Sequence, residues 1–217
     1  MLNAFSNVSM LKRLIVVLII GALMISGAVF AWYSFKAQKN NAPGTILPSG
    51  GTSMKVLLPK AATHFRQRDP KWGKETIGGS SETIRAVGCT LCSVAMAVSD
   101  LGHPITPSEL NANMIANNGY TEQGWMIWGA VTPATDNFAE VVVRSKPDHK
   151  TLDECLKRGE IPIVKFYLPG GIPHWVAVIG KDGHEFLIKD PAVKNPKPVK
   201  LSSRAKWIHS LRYVRKR

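Results

Sequence analysis

The chain has 217 residues, 45% hydrophobic and 20% charged, with 28 Lys and Arg against 15 Asp and Glu for a formal net charge of +13. That length holds one globular domain with a sizeable core plus an accessory segment, and the composition excludes a disordered chain. The charge favours anionic partners without choosing among nucleic acid, an anionic membrane face and an acidic envelope polymer. Three cysteines, Cys89, Cys92 and Cys155, cannot all pair within one chain, which excludes a complete disulfide framework.

A short N-terminal segment, 1–13, ends in Lys12 and Arg13. From Leu14 to Phe35 the chain is apolar, broken only by Ser26 and Ser34, and long enough for the ~20 residues that cross a bilayer as a helix. Trp32 and Tyr33 fall where amphipathic rings favour the membrane interface. A cleaved signal peptide competes with this reading, with cuts after Ala28 or Ala31, but the apolar run continues past either cut, which favours a retained anchor. Both versions place the rest of the chain outside the cytoplasm, secreted if the segment is cut, while the near-even charge flanks of the run leave a cytoplasmic domain as the alternative. Residues 36–60 carry Pro43, Pro48, Pro59, Gly44, Gly50 and Gly51 among Asn, Ser and Lys, and read as a linker with too little apolar surface to fold. The globular domain is therefore expected over 61–217.

Within it, Phe65 to Gly73 reads as an extended piece breaking into a turn at Asp69-Pro70. Leu91, Val94, Ala95, Val98 and Leu101 recur at helical spacing and predict a helix from Cys89 to Leu101 with one buried stripe, stopped by Gly102 and Pro104. Thr106-Pro107-Ser108-Glu109 is a capping box with Pro at the first helical position, and Asn118-Gly119 closes that second helix. Trp125 to Phe138 is ambiguous, part helix and part loop. Glu140 to Arg144 reads as a strand, and Lys150 to Arg158, closed by Gly159, as a helix. Four strand-like runs follow, Ile161–Leu168, His174–Ile179, Glu185–Lys189 and Trp207–Val214. Helices first and an antiparallel sheet after make the fold class α+β.

Gly88-Cys89 brings a thiol to the first turn of an apolar helix, where unpaired N–H groups and the helix dipole favour a thiolate. A thiol nucleophile also needs a base, a group that orients the base, and donors for the oxyanion. His174 is the candidate base, at the start of a strand after Gly170-Gly171-Ile172-Pro173. Asp190 is the candidate orienter: a turn at Lys181-Asp182-Gly183 would bring the strand ending at Asp190 back beside the strand opening at His174. Gln67 is the candidate oxyanion donor. Taken singly, each has a plainer explanation: a satisfied core histidine, a turn aspartate before Pro191, a solvated glutamine. The order Gln, Cys, His, Asp is the one that papain-like enzymes use.

The motifs Phe65-Arg66-Gln67-Arg68-Asp69-Pro70-Lys71-Trp72, Gly88-Cys89 followed by Ser93, Thr106-Pro107, Pro173-His174-Trp175-Val176 and Lys189-Asp190-Pro191-Ala192 resemble family thirty-nine of the cysteine peptidases. The closer likeness is to stand-alone relatives of the double-glycine leader peptidases of bacteriocin exporters. The resemblance covers roughly Ala61 to Val193. It implies a papain-like fold, a helical half carrying the Cys on an antiparallel sheet carrying His and Asp, with Cys89 as nucleophile, His174 as base, Asp190 as orienter, Gln67 as oxyanion donor, and no cofactor. Two features depart from the family: Thr90 and Leu91 stand where Gly and Pro often follow the nucleophile, and the chain has no transporter ATPase region.

Other readings compete at the same residues. Cys89-Thr90-Leu91-Cys92 is a C-x-x-C motif opening a helix, as in thiol–disulfide oxidoreductases, although the loop-like Gly78-Gly79-Ser80-Ser81 precedes it instead of a strand. A zinc site from Cys89, Cys92 and His174 lacks a second closely spaced ligand pair. A binding module on the same fold, joining the membrane to an envelope polymer or partner, is the non-enzymatic alternative. The C-terminal run from Lys194 interleaves basic residues with Trp207 and Tyr213; behind an export signal, a solvated tail or an anionic envelope polymer outranks nucleic acid. Trp125 and Trp128 could line a cleft or fill a core. The leading expectation is a membrane-anchored, outward-facing thiol hydrolase acting on a peptide or amide bond through Cys89.

Overall fold

Among the described residues of the computed structural model, which are 21, 44–58 and 63–217, one edge strand precedes a helical half, and the remaining strands of the same antiparallel sheet follow it with one helix between them. The expected membrane span over 14–35 lies outside them but for Gly21; no helix among the described residues is long and apolar enough to cross a membrane.

The helical half begins with a single turn, α1 (Ile84–Val87), and continues after Gly88 into α2 (Cys89–Asp100). A side chain at position 88 would put its Cβ 2.4 Å from the Ile84 carbonyl oxygen, so only glycine lets α1 lead so tightly into the Cys89 helix. The sequence predicts one buried stripe on α2. The structure buries it nearly all round, leaving only Thr90 and Ser99 half-covered, because the sheet packs on one side and α3 (Pro107–Ala116) on another. Each of its larger apolar side chains contributes about 1.5–3 kcal/mol by leaving water, which anchors the helix that bears Cys89. The capping box of α3 forms as expected, with the Glu109 N–H donating to Thr106 Oγ1 at 3.2 Å and the Thr106 N–H to Glu109 Oε2 at 2.8 Å. The ambiguous stretch resolves into a 3-10 turn, Trp128–Ala130, and a short α4 (Val131–Ala134), stopped where Asp136 and Asn137 adopt φ of 52° and 60°.

The sheet contains β1 (Ser49–Leu57), β2 (Ala139–Val143), β3 (Ile161–Leu168), β4 (Ile172–Lys189), β5 (Val199–Lys200) and β6 (Ser210–Lys216), ordered β1-β4-β3-β6-β2 with β5 also on β4 and every pairing antiparallel. The helix α5 (His149–Arg158) packs on β1 and β3, capped by Asp148 and closed by Gly159 as expected.

β1 corrects the linker reading of 36–60 and the domain start at Ala61. Residues 49–57 are an edge strand of the sheet, with Leu57 opposite Gly180 and Met54 opposite Gly183. Their Gly and Ser content hides a half-buried strand whose partners lie far along the chain. Lys181 Nζ donates to the Thr52 carbonyl at 2.7 Å and to Asp153 Oδ1 at 2.6 Å, while the Thr52 N–H donates to Asp153 Oδ2 at 2.6 Å. A buried ion pair thus ties β1 to β4 and α5, none of which is local to 49–57.

Candidate active site

β4 sets the site. The sequence predicts two strands with a turn at Lys181–Gly183, and the structure carries extended backbone through the whole of Ile172–Lys189. At about 3.3 Å per residue an unbent strand would hold His174 and Asp190 roughly 50 Å apart. Yet His174 Nε2 lies 2.7 Å from Asp190 Oδ1, so the strand doubles back, with Gly183 in the left-handed region at φ 62° near the bend. The turn residues remain extended in pattern because they pair with β1 at the same place.

Around that contact the polar atoms are closely satisfied. Asp190 is 2% exposed; its Oδ1 also accepts from the Ala192 N–H at 2.8 Å, and its Oδ2 accepts from Arg204 Nε at 3.0 Å. The His174 ring, 3% exposed, meets Phe166 edge-on at 5.4 Å. With Nε2 engaged by Asp190, Nδ1 is the nitrogen left to face the thiol. Cys89 is the first residue of α2 and is buried. Ser93, one turn further on, donates its hydroxyl to the Trp175 carbonyl at 3.1 Å, tying the Cys89 helix to the residue that follows His174.

The charge states agree with this geometry. Burial by itself would raise the Cys89 thiol, but hydrogen bonding and charge from His174, helped by the Trp175 backbone N–H and the Thr90 side chain, outweigh it and hold the thiol below its ordinary value. Burial would lower His174, and hydrogen bonds to Asp190 and Cys89 overcome it, pushing the imidazole up to about 9. Burial opposes ionisation of Asp190 too, and His174, the Ala192 N–H and Arg204 hold it below the usual carboxylate range. These directions favour a thiolate–imidazolium pair braced by a carboxylate. The other two thiols behave differently. Burial raises Cys92 far above its ordinary value, the negative charge of Cys89 adding to the effect, and burial pushes Cys155 up to about 12. All three cysteines are free.

Gln67 is buried in the same region. Its backbone N–H donates to the Pro191 carbonyl at 3.0 Å and its side-chain Nε2 to the Arg85 carbonyl at 3.0 Å, so it bridges the chain just after Asp190 to the turn just before Cys89. The Arg85 acceptor fixes which end of the amide is NH2, and leaves Oε1 buried with no hydrogen-bond partner among the described residues. The Gln67 loop is braced by Trp72, which donates to the Arg66 carbonyl at 2.8 Å and meets Phe65 edge-on.

The structure therefore gathers Cys89, His174, Asp190 and Gln67 around the start of α2. It adds Arg204, which sequence reasoning left inside a basic C-terminal run: no local pattern marks it, because its partner is fourteen residues away in a different turn. Thr90, a departure from the family pattern, turns its side chain to the thiol, and Leu91 is core. Among the described residues no group of three or more His, Cys, Asp or Glu is placed to hold a metal ion. Trp125 is 72% exposed, whereas Trp128 packs edge-on to Trp175 at 5.1 Å.

No protein-family model and no curated protein matches the chain. Among solved structures it is similar to a Bacillus anthracis protein described as a C39-like peptidase, at 17% identity and a TM-score of 0.49, over 76% of this chain and 98% of that one. At that degree of likeness the site's own geometry carries the functional reading.

Proposed function

We propose that the chain is a thiol hydrolase of papain-like architecture that cleaves a peptide or amide bond through an acyl-enzyme on Cys89. The observation that carries this reading is the buried His174–Asp190 contact at 2.7 Å beside a lowered thiol at a helix N-terminus.

In the proposed reaction the Cys89 thiolate attacks the carbonyl carbon and the electron pair of the C=O bond moves to oxygen. The backbone N–H of Cys89, at a helix position with no acceptor one turn before it, and the second N–H of the Gln67 amide stabilise that oxyanion. As the C–N bond breaks, His174 Nδ1–H gives its proton to the leaving amine. A water molecule, deprotonated by the now neutral His174, then attacks the thioester; the acid leaves and the thiolate–imidazolium pair is restored. Asp190 holds the Nε2–H throughout, and Arg204 keeps Asp190 ionised. The apolar run 14–35 would anchor the enzyme in a membrane with the domain on the outer side.

Iodoacetamide labelling of the detergent-solubilised full chain at pH 7 tests the activated thiol. Cys89 should react faster than Cys155 by about a hundredfold, and His174→Ala should remove the advantage. Equal rates at the two cysteines, unchanged by His174→Ala, would overturn the reading. Peptide-library digests with wild type beside Cys89→Ala then identify the bond.

A further inference from the structure

A cation beside the site has no counter-ion among the described residues. Arg212, on β6, is half-buried; its Nε is wholly enclosed with no hydrogen-bond partner among the described residues, and its Nη1 donates to the Leu211 carbonyl at 2.8 Å. Among the described residues no carboxylate contributes to its environment, and burial pulls the guanidinium below its usual range. Arg204 and Arg158, though more exposed, are paired, Arg204 with Asp190 and Arg158 with Glu160. A desolvated, unpaired charge is costly to keep, and the packing holds this one in a defined place. The guanidinium carbon lies 5.5 Å from the centre of the Trp128 ring and 5.6 Å from that of Trp175, cation over aromatic faces.

A second cation joins it. Lys165 stands directly across from Trp175 on β3, with Nζ 5.9 Å from the Trp175 ring, and Ser210, two residues before Arg212, stands across from Lys165. Trp175, Lys165 and Arg212 therefore share one face of the sheet. Trp175 joins this patch to the chemistry: its backbone N–H bears on the Cys89 thiol and its indole supports Arg212. His174 alternates to the opposite face, so a chain seated on Cys89 would reach the cations by passing the start of β4.

We propose that Arg212 and Lys165, on the indole floor of Trp128 and Trp175, form a subsite for a carboxylate of the substrate, so that the enzyme acts on peptides bearing a negative charge a few residues from the scissile bond. The inference rests on the thiol-hydrolase reading and adds the substrate's charge to it. Arg212 Nη1 is spent on the Leu211 and Arg144 carbonyls, so the donors that suit a carboxylate are Arg212 Nη2 and Lys165 Nζ, which have no hydrogen-bond partner among the described residues.

The probes are N-iodoacetyl oligoglycines of one to four residues with a free C-terminal carboxylate, the same compounds as C-terminal amides, and N-iodoacetyl-aspartyl amides, which carry the charge on a side chain. Alkylation of Cys89 in the solubilised full chain is followed by mass spectrometry at pH 7. At one length of the series the carboxylate reagent should outpace its amide, and that preference should fall about five- to tenfold in Arg212→Gln and in Lys165→Gln. Arg212→Lys should retain part of it, and Lys216→Gln, at a distant surface cation, all of it. Preference for the terminal over the aspartyl carboxylate assigns the subsite to a substrate C-terminus, and the reverse to an acidic side chain. A carboxylate-to-amide ratio unchanged in Arg212→Gln at every length would overturn the subsite. Because the ratio is internal to each variant, a general loss of packing lowers both rates and leaves it alone. If the neutral amides themselves fail to favour Cys89 over Cys155, the hydrolase reading fails instead.

Discussion

β4 carries two buried ion pairs that look alike and do different work. Lys181–Asp153, at 2.6 Å, is closed: Lys181 also donates to the Thr52 carbonyl, and the second oxygen of Asp153 accepts from the Thr52 N–H, so the pair's remaining contacts are structural. His174–Asp190, at 2.7 Å, is open: Asp190 is satisfied by Ala192 and Arg204, but the imidazole has a second nitrogen, and that nitrogen serves a thiol. The same desolvation that makes the first pair a clasp for β1 makes the second a means of holding a proton beside a thiolate. Whether a buried pair is structural or chemical is decided by what its unspent hydrogen-bonding capacity faces.

The comparison breaks most visibly on substitution. Removing the chemical pair should be seen first in activity: Cys89→Ala abolishes hydrolysis with the urea midpoint close to wild type, and His174→Ala lowers kcat/KM by about 10³-fold or more. Removing half of the structural pair should do the reverse. Lys181→Met leaves Asp153 buried without compensation and should destabilise by about 3–5 kcal/mol in urea unfolding, while the folded fraction keeps its Cys89 alkylation rate. The double variant Lys181→Met/Asp153→Leu should recover most of that loss; a double variant as unstable as the single one would show that the clasp is more than the pair.

pH sharpens the same contrast. The folded value of His174 lies above the ordinary 6.5, so its contribution to stability is complete below pH 6.5 and is lost as pH rises through about 9. Hydrolysis should fall along that alkaline limb as the general acid is lost. Asp190→Asn removes the charge that raises the imidazole and should move the limb to lower pH; a limb that stays in place would remove Asp190 from its assigned role. Thiolate formation, read from iodoacetamide rates against pH, should shift in the opposite sense in His174→Ala, up toward the ordinary thiol range of about 8.5.

Smaller effects should attend the residues that only position the pair. Ser93→Ala loses the hydroxyl that ties α2 to Trp175 and should cost about 1 kcal/mol in stability, with a few-fold slower alkylation of Cys89. Cys92→Ser should leave that rate and hydrolysis nearly unchanged, whereas a dithiol exchanger would be disabled by the same change.

Much of the site was legible along the chain because its chemistry is carried by residue types that cannot substitute for one another. Cys89 before an apolar helix, His174 opening a strand, Asp190 closing one and Gln67 ahead of them could each be named. The helices with local signals, the Thr106 capping box and the Gly159 stop, were equally readable. β1 was not, because Gly50, Gly51 and Ser53 suit a linker as well as an edge strand, and what makes 49–57 a strand is pairing with residues more than a hundred positions away. Arg204, the Lys181 clasp and Arg212 on its two indoles were hidden for the same reason.

The sequence by itself determined the α+β class, the helix that presents Cys89 and the residue types a thiol hydrolase requires. Tertiary structure alone decided that β4 doubles back to bring a histidine and an aspartate sixteen residues apart to 2.7 Å, that burial raises Cys92 while His174 lowers Cys89, and that Arg212 is left without a counter-ion among the described residues. The division is physical: periodicity and capping act over one turn or one strand and are written locally, whereas desolvation and charge pairing depend on what the folded chain brings together.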